Sequence, residues 1–194
     1  MSRVRRILVL FLCPVAFAYA QRQSFSTKYD DQFRKYSKRY FGVGFDWRLF
    51  KAQALAESNL SPDASSRVGA RGIMQLMPST FREIQSKNPE FERVDDPHWN
   101  IAAGIYYNRQ LWTKFHEQEN HTERIKFTFG SYNAGPARIF QAQSKAEDDS
   151  LDSHIWDNVA AVAPKVRNWR YRETLAYVRR IDSLHTMLRS PEER

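Results

Sequence analysis

The stretch Asp46-Trp47-Arg48-Leu49-Phe50-Lys51-Ala52-Gln53-Ala54-Leu55-Ala56-Glu57-Ser58 decides how the rest of the chain is read. Asp46 suits a helix N-cap, because its carboxylate accepts the free N–H groups of a first turn. From Trp47 to about Ser58 no residue breaks a helix. Helical spacing puts Phe50, Ala54 and Glu57 on one face. That face belongs in the core, so a carboxylate lands on an apolar stripe. Glu57 also ends the helix, where the backbone dipole is negative. Both effects disfavour the anion and favour the neutral acid. Glycoside cleavage needs such a protonated carboxyl to protonate a leaving oxygen. Spacing alone leaves the other reading open, a helix-end glutamate that reaches solvent.

Outward from this helix, almost every periodic segment has a helical period. Tyr29 to Phe41 is amphipathic and ends at Gly42 and Gly44. Ser61-Pro62-Asp63 breaks the chain, and a loop follows to Gly69. Gly72 to Met77 is short and apolar and stops at Pro78, after which Ser79 suits a cap for a helix to about Ser86. Ile101, Ile105, Trp112 and Phe115 share the next helical face, which Asn108 interrupts. Thr122 suits a cap for a helix carrying Ile125, Phe129 and Tyr132. Asn133-Ala134-Gly135-Pro136 is a helix stop. A final helix carries Tyr177, Ile181, Leu184 and Leu188 on one side. Ala137 to Arg172 is hard to read, because Glu147-Asp148-Asp149 splits it. The pattern predicts a mainly α, compact single domain.

The start of the chain has a different character. Arg3, Arg5 and Arg6 precede an apolar run from Ile7 to Ala18, and Ala18-Tyr19-Ala20 supplies a small-x-small cleavage pattern. The run is shorter than the roughly 20 residues that span a bilayer. Residues 1–20 are therefore expected to be a signal peptide, which leaves no transmembrane segment in the mature chain and places it in the periplasm or at the cell wall. Cys13, the only cysteine, would leave with the signal, so no disulfide or thiol chemistry is expected. Without Arg3, Arg5 and Arg6 the net charge falls from +8 to +5. An exported basic protein meets anionic wall and membrane polymers rather than nucleic acid, and no basic patch interleaved with aromatics argues for nucleic-acid binding. His116 and His121 have no metal-binding motif around them, and no cofactor is expected.

Four blocks occur in order: Glu57-Ser58, then Gly69-Ala70-Arg71-Gly72-Ile73-Met74-Gln75-Leu76-Met77-Pro78, then Tyr132-Asn133-Ala134-Gly135, then Glu173-Thr174 with Tyr177-Val178. Asn100-Ile101-Ala102-Ala103-Gly104 lies between the second and third. Together they resemble the SLT-type (family 1) lytic transglycosylases, whose fold is lysozyme-like with a groove for glycan. The only departure in the Gly-rich block is Ile73, where Leu is usual. The stretch Trp156-Asp157, Val159 and Pro164 looks like the catalytic module of membrane-bound lytic transglycosylase F. The similarity runs from about Phe45 to Asp182. It implies a division into a signal peptide (1–20), an N-terminal helical extension (21–44), a catalytic domain (45–188) and a tail (189–194).

The resemblance also implies roles. Glu57 is the catalytic acid and base, and Ser58 orients it. Ser66, Met74, Gln75, Tyr132, Asn133, Glu173 and Tyr177 bind substrate, with the Tyr132 hydroxyl near the glutamate. Local readings stand beside these: Met74 as core, Ser66 as a loop serine, Asn133 as a turn residue and Glu173 as a helix N-terminal carboxylate. The implied partner is the peptidoglycan strand, cut at its MurNAc–GlcNAc β-1,4 bond to leave a 1,6-anhydroMurNAc end. A lysozyme-type hydrolase and a non-enzymatic wall-binding or secretion-assembly protein are the rival readings, and service to a cell-envelope machine stays open. If Ala20 is the cleavage site, the exported protein begins at Gln21. N-terminal sequencing checks this, and an intact Met1 on the exported form means a retained anchor.

Overall fold

A computed structural model of the chain describes residues 25–189. The expected signal peptide lies outside these residues, as does the tail beyond Arg189. The helices are α1 (Asp30–Phe41), α2 (Arg48–Ser58), α3 (Pro78–Lys87), α4 (Pro97–Lys114), α5 (His121–Ala134), α6 (Pro136–Asp148), α7 (Trp156–Val162) and α8 (Tyr171–Leu188), with a 3-10 turn at Ala163–Lys165. Among the described residues the only β pairing is two isolated bridges, Ser65 with Arg71 and Arg71 with Leu76. The mainly α expectation holds. No described helix is long and apolar enough to cross a membrane.

Two cap expectations change, and two segments whose structure the pattern left open are now defined. The segment Gly72 to Met77 is a loop closed by those bridges. The helix after it begins at Pro78, so Ser79 is not its cap; proline suits a first helical position because its missing N–H is unpaired there anyway. The cap of α5 is Asn120, whose Oδ1 accepts from the backbone N–H of Thr122 at 2.9 Å and Glu123 at 3.3 Å. The unreadable stretch folds as α6, α7 and the 3-10 turn. Its inward face on α6 is Ile139, Ala142 and Ala146, all fully buried, and alanines carry too little apolar contrast to show in a pattern.

Helix α2 is wedged between α8 and α1, while α4 joins α1 to α5, and α5 backs onto α6 and α8. Phe50 fills the centre of α2, with ring centroids 4.9 Å from Phe41 and 5.6 Å from Phe45. Two polar ties fix the helix from outside. Lys51 donates to Asp30 at 2.6 Å, which fastens α2 to α1. Asp46 accepts the Arg48 N–H at 3.1 Å, as a cap should, and also pairs with His185 of α8 at 2.8 Å. A burial of hydrophobic side chains alone would leave the helix free to slide by a fraction of a turn. These directional bonds set its register.

A close approach places the Gly-rich loop. Gly104 on α4 lies against Met74, where an added Cβ would sit 2.7 Å from both Cβ and Cγ of the methionine. Those atoms lie next to the Met74 backbone, so rotating the side chain does not relieve the clash. Gly104→Ala therefore forces the loop outward. Overpacking costs about 1–3 kcal/mol, offset in part by roughly 1 kcal/mol of better helix propensity. Chemical denaturation should show a net loss of up to about 2 kcal/mol.

Candidate active site

Glu57 occupies the last turn of α2. The helix stops just beyond it because Asn59 takes a left-handed conformation, φ 54°, and returns its N–H to the Leu55 carbonyl at 3.1 Å. Asparagine tolerates that conformation better than most residues. Glu57 is largely buried but keeps some surface open to solvent. From α8, the Tyr177 hydroxyl donates to Glu57 Oε1 at 2.5 Å. Tyr177 in turn accepts from Gln53 Nε2 at 3.1 Å. Asn108 on α4 donates through Nδ2 to Gln53 Oε1 at 2.7 Å and to the Gly104 carbonyl at 2.9 Å. Gln53 and Asn108 are fully buried.

Burial pushes the Glu57 carboxyl up to a pKa of about 7, although the Tyr177 hydrogen bond and the Arg180 charge pull the other way. No aspartate or glutamate is among the groups whose charge acts on it. Burial, reinforced by the charge of Glu57, holds the phenols of Tyr177 and Tyr132 well above their usual range. Both remain neutral donors wherever Glu57 titrates.

The structure distributes the expected site residues unevenly. Tyr132 lies close enough to Glu57 to feel its charge; its hydroxyl donates to the Met74 carbonyl at 2.8 Å, and its ring packs on Tyr107 with centroids 5.3 Å apart. Tyr177 does more than pack nearby, because its hydroxyl bonds the glutamate directly. The Met74 side chain is 0% exposed, packed in the core. Its main chain accepts from Tyr132 and donates to Asn100 Oδ1 at 2.7 Å. The Ser58 hydroxyl donates to the Ile73 carbonyl at 2.8 Å, which fastens the helix end to the Gly-rich loop.

Gln75 sits at φ 45°, and its Nε2 serves the Ala64 and Gly72 carbonyls at 3.1 and 2.9 Å. Ser66 Oγ accepts from the Ala70 N–H at 2.9 Å, and the residue borders an open cleft of about 530 Å³ together with Asp63, Gly69, Arg71 and Asp95. Asn133 Oδ1 accepts from Thr174 at 2.8 Å, and Thr174 accepts from Trp169 at 3.0 Å, so the third and fourth blocks are bonded to each other. Glu173 lies in the first turn of α8, half exposed, paired with Arg170 at 2.9 Å.

Sequence reasoning missed Gln53, Asn100 and Asn108. Each is a buried amide, and Asn108 did show itself as a break in an apolar stripe. Asn100 Nδ2 reaches the carbonyls of Arg71 at 3.0 Å and Val94 at 2.9 Å, which pins the Gly-rich loop to α4. Gly72, at φ 74°, passes so near that a Cβ there would meet the Asn100 amide at 2.5 Å.

A mainly α single domain with no sheet among its described residues belongs, by fold, to the lysozyme-like class. The chain is a member of the SLT transglycosylase family: the family's model, described as the transglycosylase SLT domain, matches residues 31–155. Membrane-bound lytic murein transglycosylase F of Shewanella pealeana is 28% identical over 83% of this chain and 33% of its own length, in keeping with the F-type resemblance. The 70 kDa soluble lytic transglycosylase of Escherichia coli superposes with a TM-score of 0.64 at 25% identity, over 84% of this chain and 24% of that one. An inactive glutamate-to-glutamine mutant of the Pseudomonas aeruginosa lytic transglycosylase Slt gives a TM-score of 0.65 at 25% identity, over 83% and 24%. The chain spans about a third of the length of the curated relatives it matches.

The raised pKa makes a stability prediction. A free glutamate titrates near 4.5 and Glu57 near 7 in the fold. Stability from the neutral form is complete below 4.5, falls as pH rises through 7 and is level above that. The gap amounts to at most about 3 kcal/mol. Glu57→Gln has no charge to bury. It should melt with the parent protein at pH 4 and above it at pH 8. A variant that melts clearly lower at pH 8 makes the glutamate structural.

Proposed function

We propose that this chain cleaves peptidoglycan glycan strands without water, between MurNAc and GlcNAc, leaving a 1,6-anhydroMurNAc end. The observation that carries the reading is Glu57 itself, a carboxyl with a pKa of about 7 on which no second carboxylate acts. Membership of the SLT family and the names of the relatives, murein and lytic transglycosylases, support the substrate class.

In this reading neutral Glu57 gives its proton to the glycosidic oxygen as the bond to C1 breaks, and the 4-hydroxyl of GlcNAc leaves. The substrate's N-acetyl carbonyl stabilises the positive centre at C1. Glu57, now anionic, takes the proton of the MurNAc C6 hydroxyl while that oxygen bonds to C1. The carboxyl ends protonated, as it began, and no water is consumed. A hydrolase normally uses a second carboxylate roughly 5 to 9.5 Å from the first; a single glutamate suffices when the nucleophile is internal. Tyr132 and Tyr177 shape the acid's surroundings. Ser66, Gln75, Asn133 and Glu173 are the remaining candidates for contact with sugar. The division at residues 20, 44 and 188, periplasmic residence after signal cleavage and any cell-envelope partner belong to the same proposal.

The test is the mass of products released from purified sacculi. Anhydro ends are one water lighter than reducing ends, and reducing ends would support the hydrolase reading instead. Glu57→Gln should lose at least roughly 100-fold in rate. The nearest alternative carboxylates in sequence should not: Asp63→Asn and Glu83→Gln should each stay within about tenfold, a barrier change near 1.4 kcal/mol. Loss at Asp63 as large as at Glu57, with solvent oxygen at C1, overturns the single-carboxylate mechanism.

A further inference from the structure

We infer that Gln53 and Asn108 are positioning residues that fix the direction of the hydrogen bond between Tyr177 and Glu57, and so decide which oxygen of Glu57 carries the transferable proton. The inference rests on the reading of Glu57 as the acid and base.

The argument is a count of donors and acceptors along a buried line. Its far end is the Gly104 carbonyl, which can only accept. Asn108 therefore presents its NH₂ group there, at 2.9 Å, and the same NH₂ reaches Gln53 Oε1 at 2.7 Å. With its oxygen engaged, Gln53 turns its own NH₂ to Tyr177 Oη at 3.1 Å. The phenol oxygen is then occupied as an acceptor, and its one proton goes forward to Glu57 Oε1. Each member leaves the next a single choice, so a backbone carbonyl on α4 sets the polarity at the catalytic carboxyl on α2. Asn108 Oδ1 is left buried without a partner among the described residues. A side chain that leaves a polar atom unsatisfied is held by its other bonds, here the two that give the line its direction.

The consequence is chemical. Oε1 of Glu57 is an acceptor only, so the proton of the neutral acid resides on Oε2. If Tyr177 Oη were free to accept, neutral Glu57 could turn its proton inward to the phenol, and the acid would be withheld from substrate. Gln53 removes that option. The other groups bearing on Glu57 are Arg180 on α8 and Tyr132 on α5, with Tyr107 of α4 behind Tyr132. None of them bonds to the phenol oxygen of Tyr177.

Gln53→Met keeps the volume and removes the donor. The Glu57 carboxyl carbon, identified by its disappearance in Glu57→Gln, reports titration by carbon-13 NMR without reference to activity. Its midpoint is expected to rise by roughly 0.5–1 pH unit in Gln53→Met, since a bond that favours the anion has been weakened. The high-pH limb of the kcat/KM profile should move with it, and kcat should fall roughly three- to tenfold with KM within about twofold. Asn108→Asp is the second variant, should the first fail to fold. Its new carboxylate turns the Gln53 amide around, so that Gln53 accepts from Tyr177, and the midpoint rises again. In a Tyr177→Phe background Gln53→Met, which adds no charge, should not move the midpoint further. A third reading needs no substitution: the Tyr177 hydroxyl proton should exchange slowly and cross-relax with the Gln53 side-chain amide protons. Unmoved midpoints in the folded variants, a Gln53→Met shift that persists without the Tyr177 hydroxyl, or no such cross-relaxation in the unsubstituted protein overturns the inference. Retained activity in Glu57→Gln instead removes the acid–base reading beneath it, and the two failures are read by different measurements.

Discussion

In the proposed reading Glu57 must keep its proton near neutral pH and still reach a sugar, and these two demands oppose each other. Low-dielectric surroundings hold the proton, and solvent access releases it. The end of α2 meets both. Phe50 and Ala54 carry the helix into the core, and the left-handed Asn59 stops it one residue after Ser58. Glu57 thus stands part-buried in the last turn of the helix. Much of the polar structure around α2 keeps that end in place. Lys51 ties it to α1, Asp46 ties its start to α8, and Ser58 ties its finish to the Gly-rich loop.

The Gly-rich loop is a scaffold held from three sides. Its carbonyls and amides bond to Asn100 of α4, Tyr132 of α5 and Ser58 of α2. Gly72 and Gly104 are small because backbone and amide pass too close for a Cβ. Three helices are therefore joined through a few residues of irregular chain. The loop buries Ile73, Met74 and Leu76 in the core but has no regular backbone hydrogen bonding of its own. Its order comes from bonds donated by neighbours, which explains why so many of its polar atoms point inward rather than to substrate.

Periodicity made the helices and the burial of Glu57 legible, because Phe50, Ala54 and Glu57 repeat at helical spacing. It failed for α6, where Ala142 and Ala146 make the inner face. Caps were misplaced by two residues at Ser79 and Thr122: α3 starts on Pro78 with no side-chain cap, and Asn120 offers α5 the same capping chemistry as Thr122. Met74 shows the limits of motif and pattern together. Its apolar surroundings pointed to the core, the family resemblance pointed to the groove, and the side chain is in the core while its carbonyl serves the site. The amide line was invisible for another reason. Gln53 and Asn108 are 55 residues apart and Gln53 and Tyr177 are 124 apart, and no local rule pairs them.

If Glu57 is the acid that becomes a base, as proposed, its neutral partners are what that role requires. A buried cation bonded to the carboxylate would hold it as the anion and abolish the acid. A buried second carboxylate would drive its proton affinity further up and impede its loss. Phenols and amides do neither. Tyr177 favours the anion enough to offset part of the burial, and its own pKa is too high for it to give up its proton. The one cation that acts on Glu57, Arg180, is exposed on α8 and acts through solvent-screened charge rather than a bond. The result is a proton affinity near the middle of the range, where both forms of one residue are populated. A site that uses two carboxylates can set one high and one low. A site with one must place it between, and burial balanced by a single phenol hydrogen bond is a means of doing so.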